Sequence, residues 1–366
     1  MQTGRVAMLV DKRKFEIQEY EIPEITDDQI LLKVEGCGVC GTDAHEYKND
    51  PFGIIPIVLG HEGTGEIVKI GKNITCDTIG KPLKVGDKIV TSVFTCGTCG
   101  PCRDMPSRPN LCDNLGCYGL MTDDKTHFNG YFGEYLVLRK GSSVFNVSAY
   151  DLDARVLIEP FAVAVHALER AKTTGLLKFN SKVVIQGCGP IGLCMLATVR
   201  TLGITDIIAI DGSDSRLEIA KELGASHTFN FTEYNSFDAM KDKIEQTIGS
   251  GADFAFQCTG VPSAASNVYK LVRRGGGACE VGFFVNNGEC SINPHFDFCN
   301  KEITLVGSWA YSVEDYPKTI ALMDAMKNLN LPYNKLITHR YSLDEITEAL
   351  EMNLSMQGIK VAIFNK

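Results

Sequence analysis

Residues 182–211 read KVVIQGCGPIGLCMLATVRTLGITDIIAID, and this stretch decides the fold class of the chain. Its first segment, Lys182–Gln186, is short, apolar and rich in β-branched residues, which is typical of a strand buried on both faces. An apolar stretch with the character of a helix follows to about Leu202, and a second strand is predicted over Asp206–Ile210. The order strand, helix, strand predicts a βαβ unit in a parallel sheet.

Three glycines separate the first strand from the helix, in the pattern G-x-G-x-x-G. In this pattern Gly187 permits a tight turn, Gly189 lets the backbone approach a pyrophosphate, and Gly192 allows close helix–strand packing. The free N–H groups at the start of the helix favour phosphate groups. Asp211 ends the second strand nineteen residues after Gly192, where a carboxylate bonds ribose hydroxyls and repels a 2′-phosphate. The combination predicts a dinucleotide site that prefers NAD to NADP, although Arg216 opposes this preference because an arginine there can accommodate the 2′-phosphate.

Further strands follow and alternate with helical text such as SRLEIAKEL. Their predicted ranges are Ser226–Phe231, Asp253–Gln257, Gly277–Val281 and Ile303–Gly307. With the first two they make six, the number that two mononucleotide-binding halves supply, so we predict an α/β fold with a doubly wound parallel sheet. A doubly wound domain that binds no dinucleotide is the alternative, but it leaves the three glycines and Asp211 without a purpose.

The composition is that of an ordinary water-soluble chain, with 366 residues, 44% of them apolar and 22% charged. This length predicts two or three domains. The net charge of -9 argues against a nucleic-acid partner, which usually requires a basic face. Apolar runs stay shorter than the roughly 20 residues that span a bilayer, and the N-terminus shows no secretory signal. We therefore expect a cytoplasmic protein without a membrane partner.

Four of the fourteen cysteines lie within about 95–113, with the spacing C-x2-C-x2-C-x9-C. In a reducing compartment such a cluster more often binds a metal than forms disulfides. Four thiolates suit the tetrahedral preference of zinc and leave no open position for a substrate. We predict a structural zinc site formed by Cys96, Cys99, Cys102 and Cys112. Unrelated reduced cysteines are one alternative, and a zinc ribbon that contacts nucleic acid is another, which the acidic charge opposes.

A second possible metal site combines Cys40, from GCGVCGTDAHEY (36–47), with His61 and Glu62, from LGHEGTGEI (59–67). Mixed sulfur, nitrogen and oxygen donors suit zinc with room for a water molecule. Each residue alone is weak evidence, because a single Cys is usually a small buried residue and a single His a satisfied hydrogen-bonding group. Cys37 and Cys40 also form C-x2-C, which is compatible with a redox pair. The residues alone leave these interpretations open.

Together, the ordered motifs resemble the zinc-dependent medium-chain dehydrogenase/reductase family over nearly the whole chain. The matching stretches are GVCGTDAHEY (38–47), GHEGTGEI (60–67), GDKI (86–89), the four-cysteine segment, GYFGEYLVL (130–138), IEPFAVAVHALERA (158–171), the glycine turn and QCTG (257–260). The resemblance implies a Rossmann domain, 158–308, inserted into a mostly-β GroES-like catalytic domain, 1–157, to which the chain returns over 309–366. A helix starting near Pro160 is expected to cross between the domains.

The resemblance also implies roles for single residues. The matched ligands of a catalytic zinc ion are Cys40, His61, Glu62 and Glu159. Glu159 stands where polyol and threonine dehydrogenases have glutamate, and it ligates zinc directly or through water. Thr42 matches the hydroxyl that takes the substrate proton and His45 the outer histidine of the relay, and with Glu62 they are the expected catalytic residues. Thr42 capping a turn and an exposed, inactive His45 are the alternatives. The cage departs from the family pattern, since nine residues separate Cys102 from Cys112 where seven are common.

The reaction implied is hydride transfer between NAD and a secondary alcohol such as a polyol, a vicinal diol or a hydroxy amino acid. The expected cofactor contacts are Gly187, Gly189, Pro190, Ile191, Gly192, Asp211, Arg216 and Thr259. Family members are commonly dimers or tetramers, so a homodimer or homotetramer with two zinc ions per chain is expected. The alternatives are a non-catalytic NAD-binding sensor or structural relative, a simple alcohol dehydrogenase, a zinc-free quinone reductase, and a redox protein that uses Cys37 and Cys40.

Overall fold

A computed structural model describes residues 2–365, which separate into two compact units. The first unit contains the chain up to Glu159, Ser312–Ile320 and the chain from Ile337 onward. The second contains Pro160–Tyr311 and Ala321–Leu336. The domain borders near 157 and 308 remain predictions, and the compact units divide the predicted return segment, because Ala321–Leu336 groups with the second unit. Across residues 2–365, none of the helices combines the length and apolar character that crossing a bilayer demands.

The described chain is built from strands in three sheets and from helices of 5 to 21 residues. The strands are β1 (Thr3–Asp11), β2 (Lys14–Glu21), β3 (Ile30–Val39), β4 (Ile57–Val58), β5 (Glu62–Ile70), β6 (Lys88–Thr91), β7 (Tyr135–Leu138), β8 (Val144–Asn146), β9 (Lys182–Gln186), β10 (Asp206–Asp211), β11 (His227–Asn230), β12 (Ala252–Gln257), β13 (Val272–Glu280), β14 (Thr304–Gly307), β15 (Ile337–Tyr341) and β16 (Lys360–Phe364). The α-helices are α1 (Gly41–Asn49), α2 (Gly100–Asp104), α3 (Leu152–Lys172), α4 (Pro190–Thr201), α5 (Asp214–Glu222), α6 (Phe237–Ile248), α7 (Pro262–Leu271), α8 (Asp315–Asn328) and α9 (Ile346–Leu354).

The second unit is organised around a six-stranded sheet with the order β11-β10-β9-β12-β13-β14, in which every neighbouring pair is parallel. Its central strand β9 has the predicted bounds, and Val183, Val184 and Ile185 are fully buried, as a strand covered on both faces requires. The strand order reverses between β9 and β12, which is the point where doubly wound sheets bind their ligands. The predicted α/β fold class is confirmed.

The first unit is mostly β-structure, with a three-stranded sheet β2-β1-β4 and a seven-stranded sheet. The larger sheet runs β15-β16-β3-β5-β6-β8, with β7 also paired to β3. Antiparallel pairing places Gly38, near the end of β3, opposite Glu62 on one side and Ala362 on the other. The sheet therefore brings together chain segments from near residue 40, residue 62 and residue 360.

The long helix α3 corrects one prediction about the segment that includes Pro160. The helix begins at Leu152, and Pro160 lies inside it rather than at its start. An interior proline removes one backbone hydrogen bond and costs about 3 kcal/mol relative to alanine. Val156, Leu157, Ile158 and Phe161 are fully buried around it, so the burial of this apolar segment outweighs the lost bond.

Helix α1 contains an acidic residue, Glu46, that is fully buried in the first unit. One carboxylate oxygen accepts a hydrogen bond from the Phe52 N–H at 3.3 Å, and the other has no hydrogen-bond partner. Burial raises the pKa of Glu46 to about 7, and the nearby Asp50 adds to the increase while the Phe52 N–H opposes it. Because the folded state favours the protonated form, Glu46 stabilises the fold most below its ordinary pKa near 4.5.

The substitution Glu46→Gln tests this assignment through the pH dependence of stability. The contribution of Glu46 is lost as the pH rises from about 4.5 through about 7, because the folded protein must then bury a charge. We expect Glu46→Gln to raise the midpoint of thermal unfolding by a few degrees at pH 8 and to change it little at pH 4. The control Glu24→Gln alters a carboxylate that is 89% exposed and should shift neither midpoint. Equal stability of wild type and Glu46→Gln at both pH values would contradict the assignment.

Candidate functional site

The seven-stranded sheet assembles the predicted mixed metal site within the first unit. Cys40 is the N-cap residue of α1 directly after β3, His61 immediately precedes β5, and Glu62 is the first residue of β5. One potential ligand atom from each of these residues lies within 4.8 Å of those of the other two. His61 and Glu62 are buried and Cys40 is half-buried. A thiolate, an imidazole and a carboxylate so close together form a donor set that fits an open zinc site.

Asp43 joins the two chain segments that supply the ligands. It is fully buried, and one of its oxygens accepts a hydrogen bond from the Cys40 N–H at 2.8 Å. The other oxygen accepts from the Gly60 N–H at 3.2 Å and lies 3.3 Å from Nδ1 of His61. A carboxylate at Nδ1 fixes the orientation of the ring and leaves Nε2 to face a metal ion. Asp43 thus orients His61 and anchors Cys40 at the same time.

The charge of His61 depends on the same neighbours. Burial by itself disfavours the imidazolium form. The negative charges of Asp43 and Cys40 outweigh that effect and raise the pKa of His61 well above its usual range. A bound cation would compete with this proton, because metal ligation requires the neutral ring.

Glu62 has a partner that the sequence did not suggest. Nζ of Lys360, the first residue of β16, donates hydrogen bonds to both carboxylate oxygens of Glu62 at 2.7 and 2.6 Å. Lys360 is 2% exposed and Glu62 is 1% exposed. Burial lowers the pKa of the Lys360 amine, but the charges of Glu62, Cys40 and Glu159 raise it further, so the pair remains ionised. Glu62 is therefore a buried carboxylate with its own counter-ion.

Other predicted residues of this site lie in the same unit. Thr42 donates a hydrogen bond from Oγ1 to Sγ of Cys40 at 3.7 Å, so its hydroxyl borders the donor set. His45 is half-buried on α1, and burial together with Lys48 lowers its pKa. Glu159 is buried within α3 and exerts its charge on Lys360. The roles of Thr42, His45 and Glu159 remain predictions.

A fifth thiol, Cys117, borders the same cluster. Its burial raises its pKa to about 12, and the charges of Glu159, Asp43 and Cys40 act in the same direction while His61 opposes them. These influences place Cys117 close to the donor set. The proposed redox pair gains no support, because Cys37 is buried and burial raises its pKa well above the usual range, which disfavours the reactive thiolate.

The four cysteines of the predicted cage converge in space. Their sulfur atoms all lie within 4.8 Å of one another. Sγ of Cys112 is 3.5 Å from Sγ of Cys96 and 3.8 Å from Sγ of Cys99. A tetrahedral zinc ion with bonds of about 2.3 Å sets sulfur atoms about 3.8 Å apart, so the cage has the dimensions of a zinc site. All fourteen cysteines fall within the described residues and are free thiols.

Backbone groups already stabilise thiolates in the cage. The Cys99 N–H donates to Sγ of Cys96 at 3.4 Å, and the Asn114 N–H donates to Sγ of Cys112 at 3.4 Å. The Asn114 side chain and Thr98 lower the pKa of Cys96 to about 5. The neighbouring Cys99 thiol instead raises the pKa of Cys102 to about 12. A divalent cation would remove this conflict by neutralising the crowded negative charges.

The three glycines of the dinucleotide turn have three distinct environments in the second unit. Gly187 has φ of +93°, which only glycine adopts without strain. A Cβ at Gly192 would collide with the carbonyl oxygen of Gly187, so its absence allows α4 to pack against the turn. A Cβ at Gly189 would meet no atom within 4 Å, so this position leaves open space where α4 begins. The arrangement fits the predicted binding of a pyrophosphate at the helix N-terminus.

The other predicted cofactor residues surround this turn. Asp211 accepts hydrogen bonds from the Cys188 N–H at 2.7 Å and the Ser213 N–H at 2.9 Å, which fix its carboxylate at the end of β10. Thr259 packs its methyl group against Gly187, and Pro190 and Ile191 form the first turn of α4. Arg216 lies half-buried on α5. The contacts of these residues with a cofactor remain predictions.

Sequence reasoning missed three residues of the metal site. Asp43 carried a usable signal, since an acid three residues after Cys40 at a helix start matches a capping box. Lys360 gave a weaker signal as the one cation within the apolar strand sequence KVAIF. Cys117 carried none, because a cysteine in a loop is indistinguishable from an ordinary small apolar residue.

Comparison with known proteins gives matches along the chain. Residues 190–325 match the zinc-binding dehydrogenase family model, and residues 26–149 match the alcohol dehydrogenase GroES-like domain. Sorbitol dehydrogenase of Bacillus subtilis is 32% identical over 99% of this chain and 98% of the relative. An alcohol dehydrogenase of Thermotoga maritima has a TM-score of 0.92 at 33% identity, with both chains fully covered. The 2R,3R-butanediol dehydrogenase of B. subtilis has a TM-score of 0.83 at 27% identity, covering 99% of this chain and 100% of that one.

Removal of one cage thiol tests the structural metal site. We expect Cys112→Ser to lower the metal content by about one ion per chain, because three thiolates hold zinc much less tightly than four. Metal content is measured by atomic emission on protein purified with a known amount of zinc. Cys76→Ser, which changes an exposed cysteine outside both clusters, is the matched control. An unchanged metal content in Cys112→Ser would rule out the cage as a zinc site.

The substitution Asp43→Asn tests the orientation of His61. The amide keeps the shape of the side chain but removes the charge beside Nδ1, so we expect affinity for the second zinc ion to fall about ten- to a hundredfold. Chelator competition measures that affinity. The control Asp77→Asn changes another buried carboxylate, which holds the N–H groups of Ile79, Lys81 and Asn146 away from the metal ligands. If both variants bound zinc as the wild type does, Asp43 would have no part in the site.

Proposed function

This chain belongs to the zinc-dependent medium-chain dehydrogenase/reductase family, and we propose that it oxidises a secondary alcohol bearing a neighbouring hydroxyl group, with NAD as hydride acceptor. The family assignment makes the chain an alcohol or polyol dehydrogenase that uses zinc and a nicotinamide cofactor. The observation that carries the proposal is the close grouping of Cys40, His61 and Glu62, with ligand atoms within 4.8 Å. The names of the relatives, sorbitol dehydrogenase and butanediol dehydrogenase, support the substrate class.

The residues of the first unit would divide the chemistry of alcohol oxidation among them. Cys40 and His61 would hold the catalytic zinc ion, with Glu62 and Glu159 as the carboxylates of the site. Zinc, when bound, supplies a Lewis acid that favours loss of the alcohol proton. Asp43 keeps His61 oriented for this task through its contact with Nδ1.

The proton of the alcohol needs an exit from the site, and Thr42 and His45 are our candidates. They lie three residues apart on α1, so their side chains are neighbours on one helix face. The hydroxyl of Thr42 both donates and accepts hydrogen bonds, so it can relay a proton. Since the pKa of His45 is lowered, its ring is neutral near pH 7 and able to accept that proton. The hydride leaves the carbinol carbon for the nicotinamide ring, which completes the two-electron oxidation.

NAD rather than NADP is the proposed acceptor. The carboxylate of Asp211 is fixed by two N–H groups at the end of β10, next to the open turn at Gly189. A fixed negative charge there favours free ribose hydroxyls over a 2′-phosphate. Arg216 is the residue that would act against this preference. We further propose two zinc ions per chain, a cytoplasmic location and a homodimer or homotetramer.

Non-catalytic alternatives are not favoured. A sensor or structural relative that binds only a dinucleotide has no need for a second donor set beside the cage, yet Cys40, His61 and Glu62 converge with Asp43 supporting them. A zinc-free quinone reductase would ordinarily lack the four-cysteine lobe. A simple alcohol dehydrogenase remains the second candidate within the same reaction class.

Oxidation assays on the purified, zinc-loaded chain test the proposal. The panel contains polyols, vicinal diols, threonine and simple primary alcohols, each with NAD and, in parallel, with NADP. We expect NADH formation with polyols or vicinal diols, at least tenfold slower turnover of primary alcohols, and a preference for NAD. Cys40→Ser should abolish turnover because it removes a ligand of the catalytic ion, and the control Cys76→Ser should retain it.

Each part of the proposal fails on a different result. Silence across the whole panel, with two zinc ions per chain confirmed, would remove the proposed substrate class. Faster turnover with NADP would overturn the role of Asp211 alone. Activity that survives Cys40→Ser would overturn the assignment of the catalytic metal site.

A further inference from the structure

The buried ion pair between Lys360 and Glu62 is the feature of the first unit that the proposed reaction leaves unexplained. An ammonium group has three N–H donors. Nζ of Lys360 has three acceptors, namely the two oxygens of Glu62, at 2.7 and 2.6 Å, and the Val39 carbonyl oxygen at 3.4 Å. Both oxygens of Glu62 are thus engaged by one cation, and the cation has no donor left for another group.

The path of the Glu62 side chain shows how this pair forms. In the sheet, β3 lies between β5 and β16, so the Glu62 carboxylate must cross β3 to reach Lys360. It crosses at Gly38, which stands opposite Glu62 in the strand register. A Cβ at Gly38 would collide with Oε2 of Glu62, so the missing side chain provides the space for the carboxylate. Glycine at 38 and lysine at 360 together direct Glu62 across the sheet.

We infer that Lys360 is a positioning residue that holds Glu62 out of the coordination sphere of the catalytic metal. Glu62 then balances charge beside the ion instead of donating a bond to it, and Cys40 and His61 remain as ligands. This inference rests on the proposed metal site and refines the expectation that Glu62 is a ligand.

Electrostatics gives the reason why one carboxylate cannot easily serve both cations. A zinc–oxygen bond is about 2.0–2.2 Å long, so a bridging carboxylate would bring the ion within roughly 4–5 Å of Nζ of Lys360. Two positive groups so close in a buried place repel each other strongly. While Lys360 is present and charged, the carboxylate stays with the lysine. The charges of the site also agree, because Cys40, Glu62 and Glu159 supply three negative charges and a divalent ion with Lys360 supplies three positive ones.

Holding Glu62 aside has a chemical advantage for the proposed reaction. Each anionic ligand reduces the charge that the metal presents to a bound alcohol, and so weakens it as a Lewis acid. With Glu62 paired to Lys360, the ion keeps more of its positive charge and an open position for substrate. The lysine would therefore act on catalysis through Glu62, without touching the substrate.

Crystal structures of the zinc-loaded wild type and of Lys360→Met test the inference directly. In the wild type we expect both Glu62 oxygens to remain on Lys360, with neither within about 2.2 Å of the catalytic zinc ion. In Lys360→Met, which keeps the length of the side chain without its charge, we expect one Glu62 oxygen to bind zinc. A Glu62–zinc bond in the wild type with Lys360 in place would overturn the inference, and that structure decides the matter even if no variant folds.

Zinc affinity and stability supply a second readout that a merely structural lysine would not reproduce. We expect zinc-free Lys360→Met to unfold at a lower temperature than the wild type, but to retain the catalytic zinc about tenfold more tightly in chelator competition. Lys360→Arg, which keeps the charge, should match the wild type in affinity. The double variant Lys360→Met with Glu62→Gln should recover the lost stability without the gain in affinity. Weaker or unchanged zinc binding by Lys360→Met would overturn the inference.

The kinetics and one control variant separate this inference from the proposed function. Zinc-loaded Lys360→Met should lose kcat about tenfold or more with a smaller change in KM, because zinc with an added anionic ligand is a weaker Lewis acid. An unchanged kcat would overturn the catalytic part of the inference. Cys40→Ser tests the metal site itself, and loss of zinc and turnover in that variant supports the proposed function whatever the result at Lys360.

Discussion

The metal centre depends on the compensation of charge in a place that water does not reach. Asp43, Glu62 and Glu159 are buried carboxylates within the first unit. An ionised carboxylate in such surroundings is costly unless it is paired and hydrogen-bonded. Asp43 is satisfied by two backbone N–H groups and faces His61, and Glu62 is satisfied by Lys360. Removal of one partner from a buried pair costs about 3–5 kcal/mol, so the groups that orient the metal ligands also stabilise the fold around them.

Much of the second unit and of the cage was predictable because the relevant interactions are local in sequence. The strand Lys182–Gln186 and the glycine turn after it lie within one βαβ unit, and the structure has that strand with the same bounds. The cysteine spacing likewise specifies a turn that points sulfur atoms at a common centre, and the four sulfurs converge. The motif order along the chain indicated the family, and the comparisons confirm that membership.

Interactions between distant residues were the ones that the sequence did not predict. Lys360 and Glu62 are 298 positions apart, and only the pairing of three strands makes them neighbours. Cys40 and His61 were ambiguous for the same reason, since each has an ordinary structural role until the sheet brings them together. Pro160 was placed at a helix start because proline favours that position, but burial of the residues on either side carries α3 through it. Local propensity loses wherever tertiary burial is extensive.

The crowding of thiols in the cage has a consequence for the life history of the molecule. Without its ion, the cage holds sulfur atoms 3.5 to 3.8 Å apart, and one of them, Cys96, is a thiolate at neutral pH. A thiolate beside a second thiol is the arrangement that oxidants convert most readily into a cross-link. A newly made chain must therefore meet zinc before it meets peroxide, since oxidation would consume the ligands. Zinc supply during synthesis, rather than zinc affinity afterwards, then limits how much of the protein reaches its mature form under oxidative stress.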